Sequence, residues 1–255
     1  MGHTVVVAGV GRTVGAAVAR RFAAEGCRVG LFARSSGFIE ELAAELRGEG
    51  AEALAVPTDV TDPEAVAAGF EAVRDALGPV DVLVLNASAP GGAGPLDTDP
   101  ADFERTWRVR VRGSLLCVQA AAPDMLDAGD ATDGAVETTT DGADDTTGGR
   151  SDGTTAGGND AADAGGTVIF SGTSFAERGA PEQVAWGAAS AGARGLARSL
   201  ADALPLHVAY VAIDGAVAPP ESTWTGAIPA DAVADTYWSL VEQDGGTTTE
   251  LDLRP

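Results

Sequence analysis

Three glycines near the start of the sequence have the spacing of a loop that holds a phosphate group. Gly9 and Gly11 lie between the apolar run Thr4–Ala8 and the segment Thr13–Glu25, whose apolar residues recur with helical spacing, and Gly15 lies at the start of that segment. Glycines allow a backbone to approach a pyrophosphate closely, and the first amides of the following helix can then bind it. The pattern therefore predicts a dinucleotide-binding turn. The alternative is a plain tight turn between a strand and a helix, which favours the same residue type.

Two arginines indicate which dinucleotide this turn would bind. Arg12 lies within the turn, and Arg34 follows the second predicted strand, Arg28–Phe32. An acidic residue at the end of that strand would bind the adenosine ribose of NAD, whereas guanidinium groups favour the 2′-phosphate of NADP through charge-assisted hydrogen bonds. We therefore expect NADP(H) as the preferred cofactor, with NAD(H) as the alternative. A surface ion pair is the competing explanation for Arg34.

The elements that must position these residues alternate between strand and helix. Strand-like runs of apolar and β-branched residues cover 4–8, 28–32, 53–56, 80–85, 167–170, 207–213 and 248–253. Helical spacing or a capping signature marks 13–25, 38–47, 62–77, 99–126, 183–204 and 230–241. This alternation predicts an α/β protein with a doubly wound Rossmann-like fold, in which helices cover both faces of a mainly parallel seven-stranded sheet. Because the connections are short, we expect one domain over residues 1–255.

One segment differs in composition from the rest of the chain. Residues 127–166 consist almost entirely of Asp, Thr, Gly, Ala and Ser, with ten acidic residues and a single base, Arg150. Such a segment cannot bury enough apolar area to offset the entropy lost on ordering. We therefore interpret it as an acidic, disordered insertion within the domain. A calcium- or partner-binding loop is the alternative, although the acids lack the spacing of an EF-hand loop.

The overall composition excludes several classes of function. The 255 residues carry 38 acids against 16 bases, all of them arginine, for a formal net charge of −22. Such a chain repels nucleic acid and anionic membranes, and it suits a salt-loving host in which ions screen its charges. There are only two cysteines, no Cys/His cluster with metal-ligand spacing and no apolar run of the ~20 residues that cross a bilayer. We therefore expect a cytoplasmic protein without disulfides, metal or membrane anchor.

Further motifs carry a resemblance to the short-chain dehydrogenase/reductase family. The glycine turn is similar to that family's T-G-x-x-x-G-x-G pattern, with Ala8 in place of Thr and Thr13 in place of the middle glycine. Asp59-Val60 resembles the pair that contacts adenine, Asn86-Ala87-Ser88 the Asn-Ala-Gly after the fourth strand, and Asp214-Gly215 the Pro-Gly after the sixth. The resemblance implies an NAD(P)(H)-dependent oxidoreductase for a small carbonyl or alcohol substrate. It also implies a set of cofactor-binding residues: Gly9, Gly11, Arg12, Val14, Gly15, Arg34, Asp59, Val60, Asn86, Ala87 and Gly215.

The catalytic positions depart from the family pattern. The tyrosine and lysine of the family's Tyr-x-x-x-Lys pair align with Trp186 and Ser190, and its helical asparagine aligns with Arg110. Its serine, thirteen residues before the tyrosine, aligns with Thr173, which precedes Ser174. An indole cannot act as an acid and a serine cannot supply a charge. The resemblance therefore points to an atypical branch of the family with a reduced catalytic set.

These replacements leave few catalytic options. Arg110 could polarise a carbonyl oxygen that the hydroxyl of Thr173 or Ser174 also binds, or it could simply pair with neighbouring acids. Trp186 either packs over an unused pocket or forms a platform for the substrate or the nicotinamide. Neither of the two tyrosines in the chain is expected near the nicotinamide.

Two functions from different classes follow. The first is an NAD(P)(H)-dependent oxidoreductase that works with this non-standard set. The second is a catalytically inactive dinucleotide-binding homologue that acts as a sensor or a structural subunit. The resemblance also implies a homodimer or homotetramer whose interface is formed by the predicted long helices Pro100–Leu126 and Gln183–Leu204.

Overall fold

A computed structural model describes residues 2–89, 92–133, 165–219, 222, 224–243 and 245–255, with the backbone alone over 128–133. The strands in these ranges are β1 (Thr4–Ala8), β2 (Arg28–Ala33), β3 (Ala53–Pro57), β4 (Val82–Leu85), β5 (Thr167–Thr173), β6 (His207–Ile213), β7 (Val217–Ala218), β8 (Ile228–Pro229) and β9 (Glu250–Leu253). Seven of them form one sheet in the order β3-β2-β1-β4-β5-β6-β9, and each neighbouring pair is parallel. The predicted doubly wound α/β fold is confirmed.

The first strand lies at the centre of this sheet because its sequence suits burial on both faces. Every residue of β1 is fully buried, including three consecutive valines. β-branched residues favour the strand conformation, and continuous apolar runs are typical of parallel strands covered on both sides. The strand order reverses between β1 and β4, so their carboxyl ends border a crevice where folds of this type bind ligands.

Helices occupy the connections between the strands. They are α1 (Val14–Ala24), α2 (Ser36–Gly48), α3 (Pro63–Leu77), α4 (Pro100–Trp107), α5 (Gly113–Asp133), α6 (Phe175–Arg178), α7 (Val184–Ala203) and α8 (Ala230–Val241). The predicted Asp-Pro starts are confirmed: Asp62 accepts hydrogen bonds from two backbone amides at the start of α3, and Asp99 accepts one at the start of α4. In both helices proline takes the first position, where no amide hydrogen is needed.

Each face of the sheet buries its own apolar layer. Phe22 and Tyr237 belong to the layer between the sheet and α1, α2 and α8, whereas Phe70 and Cys117 belong to the layer under α3, α5 and α7. Both cysteines of the chain are free and buried, and burial raises the pKa of the Cys117 thiol to about 12. The two layers hold the carboxyl edge of the sheet rigid, and that edge carries the predicted site residues.

The structure differs from the sequence prediction in the long helix after β4. That helix is interrupted at Arg108–Arg112 by a π-helical turn, which separates α4 from α5. Val109 and Arg110 within this turn are both buried, and short π-helical turns of this kind often occur at functional sites. Strand β5 is also longer than predicted and ends at Thr173, and the short helix α6 was not predicted.

The predicted acidic insertion falls mostly outside the described residues. Helix α5 continues to Asp133, so the first residues of the segment 127–166 are helical rather than disordered. Residues 134–164, which include Arg150 and the alternative calcium-binding loop, are not among those described. Among the helices that are described, none is both long enough and apolar enough to span a bilayer.

Candidate functional site

A cavity of about 560 Å³ opens at the carboxyl ends of β1, β2 and β4. It is lined by residues 9–15, 32–35, 58–60 and 86–88 together with Val109, and we call it the glycine-turn cavity. All the residues predicted to bind the cofactor line it except Gly215, which follows β6 and lies against Pro255. Motifs that are far apart in the sequence therefore meet around one cavity, as predicted.

The three glycines of the turn serve different purposes. Gly9 has a φ of +102°, and a Cβ at this position would lie 2.3 Å from the backbone nitrogen of Ala87. A Cβ on Gly15 would lie 2.8 Å from the Cα of Val10, whereas a Cβ on Gly11 would meet no atom within 4 Å. Gly9 and Gly15 therefore allow close packing of the turn, and Gly11 leaves the backbone open to the cavity.

Hydrogen bonds from neighbouring strands hold the turn in place. The amides of Gly9 and Val10 both donate to the carbonyl oxygen of Phe32 at the end of β2, at 2.9 and 2.8 Å. The Asn86 side chain, at the end of β4, donates from Nδ2 to the Gly9 carbonyl oxygen at 2.7 Å. The turn is thus fixed from both sides, so a ligand would meet a preformed backbone.

The electrostatics of the glycine-turn cavity favour an anion. Helix α1 starts at the cavity with no side-chain cap and no acidic residue in its first turn. Arg12 packs on the ring of Phe38, with Cζ 4.4 Å from the ring centroid, and neither Arg12 nor Arg34 forms an ion pair within the described ranges. The surface ion pair that could have explained Arg34 is therefore absent there. The helix dipole and two uncompensated guanidinium groups attract negative charge to this end of an acidic protein.

A second group of predicted site residues surrounds the carboxyl half of β5. Arg110 is only 6% exposed, and its Cζ lies 4.2 Å from the ring centroid of Trp186 on α7. Its Nη2 donates a long hydrogen bond of 3.5 Å to the Ser171 carbonyl oxygen, and its Nε is buried without a partner among the described residues. We call Arg110, Trp186, Ser171, Tyr210 and Tyr237 the Arg110 cluster, because Tyr237 donates to the Ser171 hydroxyl and both tyrosines affect the pKa of Arg110.

The expectation that Arg110 pairs with neighbouring acids is wrong for the described part of the chain, in which it has no carboxylate partner. Burial lowers the pKa of Arg110, and only the two neutral tyrosines counter this effect. The guanidinium nevertheless remains charged, because the pKa of arginine is far above neutrality. Within the ranges that the structure describes, the protein therefore keeps a buried positive charge without a counter-charge.

Both tyrosines lie closer to the predicted catalytic strand than the sequence suggested. The Tyr210 hydroxyl accepts from the Thr173 amide at 3.0 Å and lies 3.2 Å from the Thr173 carbonyl oxygen, and Tyr237 donates to the Ser171 hydroxyl at 2.6 Å. Burial raises the pKa of both hydroxyls, so neither is activated as a proton donor near neutral pH. A Cβ on Gly172 would lie 2.1 Å from the Tyr210 ring. A glycine within a predicted strand was therefore the one sign in the sequence that a large side chain packs against β5 at this point.

The remaining predicted catalytic hydroxyls make separate contacts. Thr173 is nearly buried, and its Oγ1 accepts a 3.4 Å bond from the amide of Phe175. Ser174 donates to Asp214 at 2.8 Å and accepts from Arg178 at 2.6 Å, away from the Arg110 cluster. Ser190 is fully buried on α7, one turn after Trp186, and its hydroxyl has no partner in the described chain. None of the five predicted catalytic residues lines the glycine-turn cavity.

Comparisons with known proteins agree with this architecture. The family model described as short chain dehydrogenase matches residues 3–140. A short chain dehydrogenase of Pseudocercospora fijiensis is 33% identical over 129 residues, which are 49% of this chain and 41% of that protein. Meso-2,3-butanediol dehydrogenase of Serratia marcescens is 37% identical over 123 residues, or 48% of each protein. The chain thus spans about half the length of these curated relatives.

Two solved structures resemble nearly the whole chain. An alcohol dehydrogenase of the archaeon Thermococcus sibiricus, complexed with 5-hydroxy-NADP, has a TM-score of 0.79 at 20% identity over 99% of this chain and 96% of its own. A metagenomic short-chain oxidoreductase in complex with NADP has a TM-score of 0.76 at 25% identity over 100% of this chain and 97% of its own. The fold therefore extends across both halves, including the half that the family model does not match.

Proposed function

Because the chain belongs to the short-chain dehydrogenase family, we propose that it binds NADP(H) in the glycine-turn cavity and transfers hydride to or from a small carbonyl or alcohol substrate. The observation that carries this proposal is the cavity itself, in which the open backbone at Gly11 faces the uncapped start of α1. NADP is also the ligand of the metagenomic relative that is 25% identical.

The residues of the cavity fit the parts of such a cofactor. The amides at the start of α1 suit the pyrophosphate, and Arg12 and Arg34 suit a 2′-phosphate because neither guanidinium is engaged by a carboxylate among the described residues. Asp59 and Val60 border the part where the family binds adenine. The Asp59 carboxylate is held by the amide and hydroxyl of Thr61, at 2.9 and 2.8 Å. Gly215 is left out of this proposal.

The catalytic set that we propose is Thr173, Ser174, Trp186, Ser190 and Arg110, of which Arg110 and Trp186 have the main roles. When it is bound, the cofactor donates or accepts the hydride. Arg110 stabilises negative charge on the carbonyl oxygen, and Trp186 holds the guanidinium in place. No side chain of this set supplies a proton near neutral pH, so the proton that the carbonyl oxygen takes up comes from water. We therefore expect turnover slower by about 10²–10⁴-fold than with a side-chain acid.

The second candidate is a catalytically inactive dinucleotide-binding homologue that acts as a sensor or a structural subunit. Two observations favour it. Trp186 and Ser190 stand where the family has its tyrosine and lysine, and the buried Ser190 hydroxyl contacts no polar partner within the described residues. In addition, burial raises the pKa of Tyr210, so this tyrosine is no substitute.

We further propose a homodimer or homotetramer in the cytoplasm of a salt-loving host. Phe103 and Trp107 are large apolar residues on α4 that remain exposed, and the Trp107 ring lies against Gly192 on α7. These two helices are the interface that the family resemblance implies. Light scattering at about 2 M KCl tests the assembly, and loss of stability at about 0.1 M KCl tests the salt requirement.

A titration with NADPH separates the two functions. We expect saturable quenching of tryptophan fluorescence, followed by slow oxidation of bound NADPH with a panel of ketones, aldehydes and 2-oxo acids. Binding without turnover supports the inactive homologue, and no binding up to about 1 mM refutes both proposals. Gly11→Val fills the cavity and should abolish binding, whereas Gly37→Val should not. Both glycines have open space at the Cβ position, but only Gly11 lines the cavity.

A further inference from the structure

Arg110 is a buried cation to which the described part of the chain brings no counter-charge. Several arginines nearer the surface form ion pairs, such as Arg20 with Glu45 and Arg198 with Glu250, and the acids of this chain outnumber its bases 38 to 16. Arg110 is 6% exposed and has no such partner among the residues described. Because the chain is rich in acids, a shortage of acids does not explain why Arg110 lacks a carboxylate partner among the described residues.

The groups that face this guanidinium leave most of its donors unused. Trp186 from α7 covers one side, and the Ser171 carbonyl oxygen from β5 accepts one bond at 3.5 Å, the outer limit for such a contact. Tyr210 from β6 and Tyr237 from α8 are near enough to affect the pKa of Arg110, but their hydroxyls bond to the Thr173 carbonyl oxygen and to the Ser171 hydroxyl instead. A guanidinium has five N–H donors, of which Nε is enclosed here without an acceptor.

We propose that Arg110 binds the carboxylate of a 2-oxo acid or 2-hydroxy acid substrate. One unit of positive charge matches the single negative charge of a carboxylate, and the planar fork of donors fits its two oxygens. The single cation of this cluster balances the charge of a carboxylate but not that of a doubly charged phosphate. Val109, the residue before Arg110, lines the glycine-turn cavity, so the two sites are neighbours along the chain, although Arg110 itself does not line the cavity.

The substrate class deepens the proposed function and rests on it. In a 2-oxo acid the carboxylate and the reacting carbonyl are adjacent, so one guanidinium can contact an oxygen of each. The carbonyl carbon accepts the hydride of NADPH and its oxygen accepts a proton from water, which gives the 2-hydroxy acid, NADP⁺ and hydroxide. The reverse reaction consumes NADP⁺ and the 2-hydroxy acid.

Calorimetric titration of the cofactor-free protein with pyruvate and methyl pyruvate tests the proposal, because the two probes share the oxo group and differ in charge. At constant ionic strength we expect pyruvate to bind at least about tenfold more tightly. Arg110→Met should remove this difference, and Arg112→Met should retain it. Arg112 is the matched control, because Arg112→Met removes the same charge two residues away, at an exposed side chain whose bond within the described ranges is to the Thr61 carbonyl oxygen.

The thermal midpoint of the same variants supplies a second measurement. Without any probe, Arg110→Met should unfold at a higher temperature than the wild type, because the variant buries no uncompensated charge. A purely structural arginine would give the opposite result. If Arg110→Met does not fold, Arg110→Lys retains the charge without the planar fork and should weaken pyruvate binding about tenfold.

The outcomes separate this inference from the proposed function. Equal affinity of the wild type for the two probes, or no binding of pyruvate, overturns the inference, even where NADPH binds. Binding of pyruvate without binding of NADPH supports the anion site and overturns the cofactor proposal.

Discussion

The glycine-turn cavity and the Arg110 cluster both place arginine beside the carboxyl edge of the sheet, but they are built differently. The cavity is formed by backbone, with glycines that admit close packing and two exposed guanidinium groups that water can solvate. The cluster is formed by large side chains that enclose its guanidinium almost completely. An unpaired charge costs little in the first setting and several kcal/mol in the second. A buried, unpaired charge such as that of Arg110 therefore indicates a ligand more strongly than the exposed charges of the cavity do.

The largest expected effect concerns the lysine that the family has at position 190. Ser190→Lys, alone or with Trp186→Tyr, introduces a second cation at a fully buried position, one helical turn from the Trp186 ring that packs on Arg110. We expect it to lower the free energy of unfolding by about 3–5 kcal/mol. Ser190→Ala is the control and should raise it by about 1 kcal/mol, because the hydroxyl that it removes is buried without a described partner. Urea unfolding measures both, and a stable Ser190→Lys variant would mean that the cluster already accommodates a second charge.

The next effect tests the packing of the glycine turn. Gly9→Ala requires a side chain at a φ of +102° and a Cβ 2.3 Å from the Ala87 nitrogen, which is backbone and cannot swing away. We expect a loss of about 3 kcal/mol or more in the free energy of unfolding. Gly11→Ala meets no atom and should cost less than about 1 kcal/mol. If urea unfolding gives similar values for the two variants, the turn is not packed as described.

A smaller effect tests the cations of the cavity. Arg34→Ala should weaken NADPH binding by about 10–100-fold and leave NADH binding unchanged, because the guanidinium would contact only the 2′-phosphate. Arg20→Ala is the matched control, since its side chain lies on α1 in an ion pair with Glu45 and lines no part of the cavity. Equal weakening of NADPH and NADH by Arg34→Ala would assign Arg34 to the pyrophosphate instead and refute the NADP preference.

The sequence predicted the fold and the glycine-turn cavity well, because both depend on local patterns. The apolar runs of the strands, the Asp62 and Asp99 caps and the spacing of the glycines each act over a few residues. A motif defined by backbone geometry is recognisable in the sequence, since only glycine satisfies it. The strand order then brings those motifs together without further information.

The Arg110 cluster could not be predicted in the same way. Its contacts depend on the π-helical turn at Arg108–Arg112 and on the register in which Phe170 of β5 pairs with Tyr210 of β6. Neither follows from local propensity, and a charged residue is expected at the surface unless a partner is visible. Gly172 was an indication that a large side chain lies against β5, but it did not identify Tyr210.

The smallest effect concerns Ser174, whose hydroxyl donates to the carboxylate of Asp214 rather than contacting the Arg110 cluster. The hydrogen bond from the Ser174 hydroxyl holds the pKa of Asp214 below its ordinary value of 3.8, and the positive charges of Arg178 and Arg254 add smaller effects in the same direction. A carboxylate with a lowered pKa in the folded state stabilises the protein above pH 3.8, and this contribution is lost as the pH falls further.

Asp214→Asn should therefore lower the thermal midpoint slightly at neutral pH, by an amount that disappears in acid. Asp202→Asn, at an exposed carboxylate with no described partner, should leave the midpoint unchanged throughout. A constant difference for Asp214→Asn at every pH would show that Ser174 does not depend on the charge of Asp214, and would leave its hydroxyl available to a substrate.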